Sequence, residues 1–273
     1  WAEQERSRIG EERFRREHEC EFLIFDETLI SSLVLADMEG VPPVETTGQV
    51  RWFKRPTPGH TYMVSLDPSM GTGGDYAAIQ VFELPTFEQI GEWHHNMTPM
   101  NQQVRILQGI NKHIHDTIME KDSSATPQIF YSMENNTIGE AALMRVMDIG
   151  EENIMGMFLS EPIRKGHRRK FRRGFNTTAK HKIDACTKFK ELVEGGKMKI
   201  NSQLLISEMK DFVASGLSYK AKPGQHDDLV MSCLLMTRMM KVLADFDPKI
   251  FEKWTDRTSE LTTPMPIFGN FYG

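Results

Sequence analysis

The chain has 273 residues, 39% of them hydrophobic, and 33 Lys and Arg against 38 Asp and Glu for a formal net charge of -5. That length can bury one large core with segments appended to it. The mild acidity argues against a uniformly polyanion-binding surface, no apolar run approaches the roughly 18 residues of a membrane span, and Cys20, Cys186 and Cys233 show no disulfide or metal-ligand spacing, which suits a reducing compartment.

The first residue is Trp1 rather than methionine, and WAEQERSRIGEERFRREHE (1–19) is a charge-alternating helix with little apolar face. We therefore expect the chain to start partway through a longer polypeptide. EFLIFDETLIS through Met38 has no clear period, and VPPVETTG (41–48) reads as a proline-containing connector and a domain boundary. From His60 the pattern changes. TYMVSLD (61–67), AAIQVFEL (77–84) and FEQIGEWHH (87–95) are strand-like runs joined by short turns, an antiparallel meander. Residues 97–122 then place Val104, Leu107, Ile110, Ile114 and Ile118 at helical spacing. QIFYSMENN (128–136) is a short apolar run ending in an acid, GEAALMRVMDIG (139–150) a helix, and MGMFLSEP (155–162) a further strand.

Helices follow over 177–196, with Ile183, Cys186, Phe189 and Val193 on one face and Gly195 and Gly196 as the stop, and over 202–213. HDDLVMSCLLMTRMMKVL (226–243) is mostly apolar after its third residue and predicts a buried helix. Beyond Asp247 the sequence is weakly periodic with scattered aromatics. The expected division is a lead-in segment 1–48, a main domain 49–247 and a tail 248–273. The expected class is α/β: a mixed sheet, three meander strands plus parallel strands, flanked by helices.

Acids stand at the ends of these elements: Asp67 after the first strand, Glu134 after the fourth, and the pair Asp227/Asp228 opening the last helix. If the first and fourth strands are neighbours and a helix crosses above them, the carboxylates converge. Such a cluster repels itself unless divalent cations neutralise it or some members hold protons. All-oxygen donors favour Mg²⁺ or Mn²⁺, and two such ions can activate water and stabilise the leaving oxygen of a phosphodiester. Each acid also has a plainer reading. Asp67 before Pro68 is a good turn residue, Glu134 can be loop polarity, and one of Asp227 and Asp228 can be a helix cap, which leaves the other over. His226 is a turn histidine or a neighbour of the metals, and Asp75 either holds the glycine turn or joins the metal's outer surroundings.

RKGHRRKFRRG (164–174) carries seven Lys and Arg and no acid. Arg164, Lys165, Arg168, Arg169, Lys170, Arg172 and Arg173, with Lys180 and Lys182 downstream, form a candidate contact with DNA phosphates. A solvated loop or a nuclear-localisation run has the same composition.

DPSMGTGGDYAA around Asp67, YSMENNTIGEA around Glu134, GFNTTAKHKIDACTKFKELVEGGKMKI from Gly174 and HDDLVMS from His226, in this order, resemble the C-terminal nuclease domain of the large terminase subunit of T4-like tailed bacteriophages. GEERFRREHECEFL resembles the segment leading into it from that family's ATPase domain. The resemblance implies an RNase H-like fold and a two-metal endonuclease that cuts concatemeric viral DNA during headful packaging in the host cytoplasm. Its acidic triad falls on Asp67, Glu134 and one of Asp227 or Asp228. Where the family commonly has an acid three residues after the first aspartate, this chain has Met70, while Gly71 and Asp75 match. It further implies double-stranded DNA, the portal or procapsid and the small terminase subunit as partners. No GxxxxGK[ST] occurs, so no ATP site is expected here, and the motor would precede Trp1.

Three other readings compete. An aspartate before a glycine turn also opens the phosphate hairpin of actin-like ATPases, but no second copy of the unit follows. A resolvase or transposase of the same fold uses similar carboxylates. A non-catalytic viral DNA-binding or assembly protein would carry the acids as structural residues.

Overall fold

The computed structural model describes residues 2–9, 28–162 and 173–246. The basic run 164–172, the tail 248–273 and Cys20 lie outside these residues. Helix α1 (Ala2–Ile9) and α2 (Ser32–Asp37) precede a hairpin of β1 (Glu45–Thr47) and β2 (Val50–Trp52). The meander follows as β3 (Thr61–Asp67), β4 (Ala77–Leu84) and β5 (Glu88–His95), then α3 (Met100–Lys121), β6 (Gln128–Met133), α4 (Thr137–Ile149) and β7 (Met157–Phe158). α5 (Ala179–Glu194), α6 (Gln203–Asp211), the hairpin β8 (Phe212–Ser215) and β9 (Ser218–Ala221), and α7 (Asp228–Phe246) complete the described chain.

Seven strands form one mixed sheet in the order β1-β2-β5-β4-β3-β6-β7. β3 pairs antiparallel with β4 and parallel with β6, so the first and fourth strands of the predicted set are neighbours, with Leu66 opposite Met133. Period-two alternation decides which face each residue serves. Tyr62, Val64 and Leu66 pack with Val104, Leu107, Ile110 and Ile114 of α3, and Met63 faces the opposite core with Phe189 of α5 and Met236 of α7. Burying each such aliphatic side chain stabilises the fold by about 1.5–3 kcal/mol. Asp67 shares the parity of Met63, so it faces α5 and α7.

Between them, Ser65 ties β3 to α7. Its hydroxyl donates to the Ser232 carbonyl at 2.9 Å, the Ser232 hydroxyl donates back to the Ser65 carbonyl at 3.2 Å, and both residues are fully buried. With only a hydroxymethyl on each side, the helix axis can lie close to the strand.

The structure departs from the sequence reading in three places. The boundary drawn at residue 48 falls inside the β1–β2 hairpin, whose β2 joins β5, and Leu29, Ile30 and Leu35 are buried in the main core. A proline connector obscured it because each strand is only three residues long. The strand expected over 155–162 is reduced to Met157–Phe158, since the Ser132 hydroxyl takes the Leu159 carbonyl at 2.7 Å in place of a ladder partner. The helix expected to Val213 ends at Asp211; Phe212 turns extended (φ -90, ψ 97) and starts a hairpin reversed at Gly216, φ +60. No helix among the described residues is long and apolar enough to cross a membrane.

Candidate active site

Asp67 ends β3, and Glu134 follows β6 one step past the Leu66–Met133 pair, its N–H donating to the Leu66 carbonyl at 3.1 Å. Carboxyl ends of parallel strands are where open α/β sheets present their functional groups. The Glu134 carboxyl group shares a hydrogen bond, and so a proton, with Asp67. Burial, then the Glu134 charge and that hydrogen bond, then Asp228 and Asp227, hold its affinity for the proton well above the ordinary carboxylate range.

The backbone around Glu134 is built for this position. Asn136 caps α4 by accepting from Ile138 N at 3.0 Å and Gly139 N at 2.8 Å, and its amide donates to Glu134 Oε2 at 2.7 Å. One side chain therefore starts the helix and orients the acid. A Cβ on Gly139 would stand 1.9 Å from the Glu134 carbonyl oxygen, so only glycine fits the turn.

Asp227 and Asp228 enter from α7. The Asp227 carbonyl accepts the first helical bond from Met231 N at 2.7 Å, and its Oδ2 accepts from Ala221 N at 3.2 Å and lies 4.0 Å from Lys182 Nζ. The Asp228 carboxylate accepts from the Tyr76 N–H; burial, with the Asp227 charge adding to it, still pushes its pKa up to about 6. Asp75 is exposed on the glycine loop and touches the cluster only as a minor charge near Asp228. His226 has Nδ1 3.6 Å from Asp228 Oδ2 and sets its ring edge against Tyr76.

Among the described residues no three His, Cys, Asp or Glu side chains stand together in metal-holding geometry. The contact that exists is the Asp67–Glu134 pair, with the α7 acids acting at longer range. The donor chemistry nonetheless fits a hard divalent cation: every donor is a carboxylate oxygen, and a cation relieves the same repulsion that the shared proton relieves. Asp67 and Glu134 line a pocket of about 10 Å³, room for one water-sized particle, together with Thr177, His181, Lys182 and Arg238.

The chain matches the family model described as the terminase RNase H-like domain over residues 64–239. It belongs to that family. Terminase nuclease structures share its fold. The magnesium-bound large terminase nuclease of thermophilic phage G20c superposes with a TM-score of 0.57 at 18% identity, over 78% of this chain and 97% of that one. The cobalt-bound form gives 0.56 at 18% identity over 78% and 97%, and the Thermus phage P74-26 nuclease domain 0.50 at 18% over 74% and 92%. At such identities the likeness is one of fold. The T4-like branch expected from the motifs is a finer division than this match.

Of the cations expected to meet DNA, Arg173, Lys180 and Lys182 lie among the described residues of this terminase domain. Lys182 turns inward to Asp227, with Nζ 5.4 Å from the Phe212 ring centroid, while Lys180 is exposed at the start of α5. Arg173 Nη1 pairs with Glu151 at 2.6 Å. Arg164, Lys165, Arg168, Arg169, Lys170 and Arg172 lie outside the described residues.

Two site residues escaped the sequence reading. Arg238, in the Met-rich stretch of α7, donates to Thr177 Oγ1 and the Asn176 carbonyl at 3.1 Å each, pairs with Glu161, and lies 5.2 Å from the Phe175 ring centroid. His181 Nδ1 donates to the Asn176 carbonyl at 2.8 Å. A lone arginine in an otherwise apolar helix was the available signal for Arg238, because a buried guanidinium needs an anion nearby.

Proposed function

We propose that this domain is a divalent-metal-dependent endodeoxyribonuclease that cuts concatemeric viral double-stranded DNA during headful packaging. The observation that carries the reading is the convergence of Asp67 and Glu134 at adjacent strand ends beside the α7 acids, in a member of the terminase RNase H-like family. Solved nucleases of this fold described with bound magnesium and cobalt support a divalent cation.

Asp67, Glu134 and Asp228 would hold the ions. We take Asp228 rather than Asp227 as the third ligand because it weighs more heavily on Asp67, while Asp227 is engaged by Ala221 N–H and Lys182. Two Mg²⁺ or Mn²⁺ bound there would supply an activated water and charge stabilisation for the leaving oxygen. Asn136 keeps Glu134 aimed at the pocket, and Lys182 and Arg238 offset the negative field around it. The run 164–172 and Lys180 would meet DNA phosphates. In the same reading, residues 1–48 lead from an ATPase domain, residues 248–273 dock on the portal or procapsid, the small terminase subunit is a partner, and the site of action is the host cytoplasm.

The test is cleavage of linear duplex and four-way junction DNA with Mg²⁺, Mn²⁺ or EDTA, for the wild type and Asp67→Asn. The proposal expects metal-dependent cutting of linear duplex with little sequence preference, lost in Asp67→Asn while DNA binding persists. Preference for the junction would indicate a resolvase, and cutting unchanged by Asp67→Asn would remove the site assignment.

A further inference from the structure

We infer that Glu208 is a positioning residue for the acidic site: reaching across from α6, it clamps the first turn of α7 and so fixes where Asp227 and Asp228 stand. The inference rests on the reading of the α7 acids as part of a metal site.

A helix leaves its first N–H groups without intrahelical partners. In α7 the Asp227 side chain is turned to Ala221, and the cap comes from a different element. Glu208 Oε2 accepts from Val230 N at 3.1 Å, and its carboxylate also bonds Leu229 N–H. Glu208 is only 9% exposed, so water does not readily replace it.

The other carboxylate oxygen closes a ring of contacts. Glu208 Oε1 lies 3.7 Å from His94 Nε2 on β5, and the His94 ring stacks on Tyr76 with centroids 4.0 Å apart and planes at 18°. The Tyr76 N–H donates to Asp228, one residue before the turn that Glu208 holds. Asp228 is thus gripped from two sides, through its carboxylate by the glycine loop and through its helix by α6. The four elements joined in this way are otherwise far apart in sequence, which is why no local pattern marks Glu208.

The experiment measures Mn²⁺ binding by calorimetry and by loss of the free-ion electron paramagnetic resonance signal, alongside DNA cleavage. Wild type, Glu208→Ala, Glu208→Gln, Asp67→Asn and Ile114→Ala in the remote α3 core are compared. Groups that orient metal ligands are worth about 10–100-fold in affinity, so Glu208→Ala should weaken Mn²⁺ binding at least tenfold. Glu208→Gln keeps a carbonyl oxygen for the two N–H groups and should stay within about threefold of wild type. Ile114→Ala should lower the Tm and leave Mn²⁺ affinity unchanged, which separates positioning from general destabilisation. Should Glu208→Ala not fold, Glu208→Asp, which keeps the carboxyl group and shortens the reach, is expected to show the same loss. Wild-type affinity in Glu208→Ala or Glu208→Asp overturns the clamp and leaves the nuclease reading intact, as does an equal loss in Glu208→Gln. A wild type that binds no Mn²⁺, or Asp67→Asn that binds it as well as wild type, overturns the nuclease reading and the clamp with it.

Discussion

The Glu208–His94 contact predicts a specific pH dependence of stability in the metal-free protein. Burial pushes the Glu208 pKa up to about 8 from 4.5, and burial with the Arg51 charge pulls His94 down to about 4 from 6.5, so both are neutral in the folded protein at pH 7. An acid with a raised folded pKa contributes stability that is present at low pH and lost as pH rises towards that value; a histidine with a lowered pKa does the reverse. Between pH 4.5 and 6.5 the two therefore oppose each other. Asp228, raised to about 6, has lost most of its contribution by pH 6.5. From pH 6.5 to 8 the Glu208 contribution falls at about 1.4 kcal/mol per pH unit, less the part already ionised at pH 8, so the wild type loses roughly 1–2 kcal/mol that Glu208→Gln keeps. For a domain of this size that is about 3–6 °C in Tm. Thermal melts in EDTA at pH 6.5, 7, 7.5 and 8 should show this decline in the wild type and a flatter line in Glu208→Gln. Parallel lines for the two proteins would refute the reasoning.

Gly139→Ala forces a methyl onto the Glu134 carbonyl and should destabilise the fold by about 1–3 kcal/mol, with cleavage lost even in the folded fraction; denaturant titration and a cleavage assay check both. Asp228→Asn should lose Mn²⁺ binding more severely than Asp227→Asn, because Asp227 is committed to Ala221 N–H and Lys182, and calorimetry on the two variants decides it. Arg238→Met removes the partner of Glu161 and the donor to Thr177 and Asn176; because Glu161 stays partly exposed to water, the domain should lose about 1–3 kcal/mol, and unchanged stability in urea unfolding would mean that these bonds contribute nothing net.

The parts of the fold legible in sequence were those where one physical rule acts without competition. The short apolar runs TYMVSLD and AAIQVFEL, buried on both faces, define two central strands, and the same parity that buries Met63 turns Asp67 to the helical side. Glu134 follows because β6 repeats that parity in register with β3. The β1–β2 and β8–β9 hairpins were not legible, since strands of three or four residues hold too little alternation to stand out from turns. Arg238 and Glu208 were hidden for another reason. Each sits in a helix whose apolar spacing is complete without it, and its partners come from residues 21 to 114 positions away. The packing of Lys182 against Phe212 and Asp227 was not legible either, since it depends on the β8 strand that composition does not reveal.

The paired hydroxyls of Ser65 and Ser232 act as a shim between sheet and helix. Because α7 carries the aspartates at one end and Arg238 further along, the thickness of that shim sets the gauge of the whole cleft. Exchanging either serine for valine or leucine would lift the helix like a wedge driven under a beam, altering the gap at Asp67 without touching a charged group. The bore of this pocket is thus governed by two of the smallest side chains in the protein.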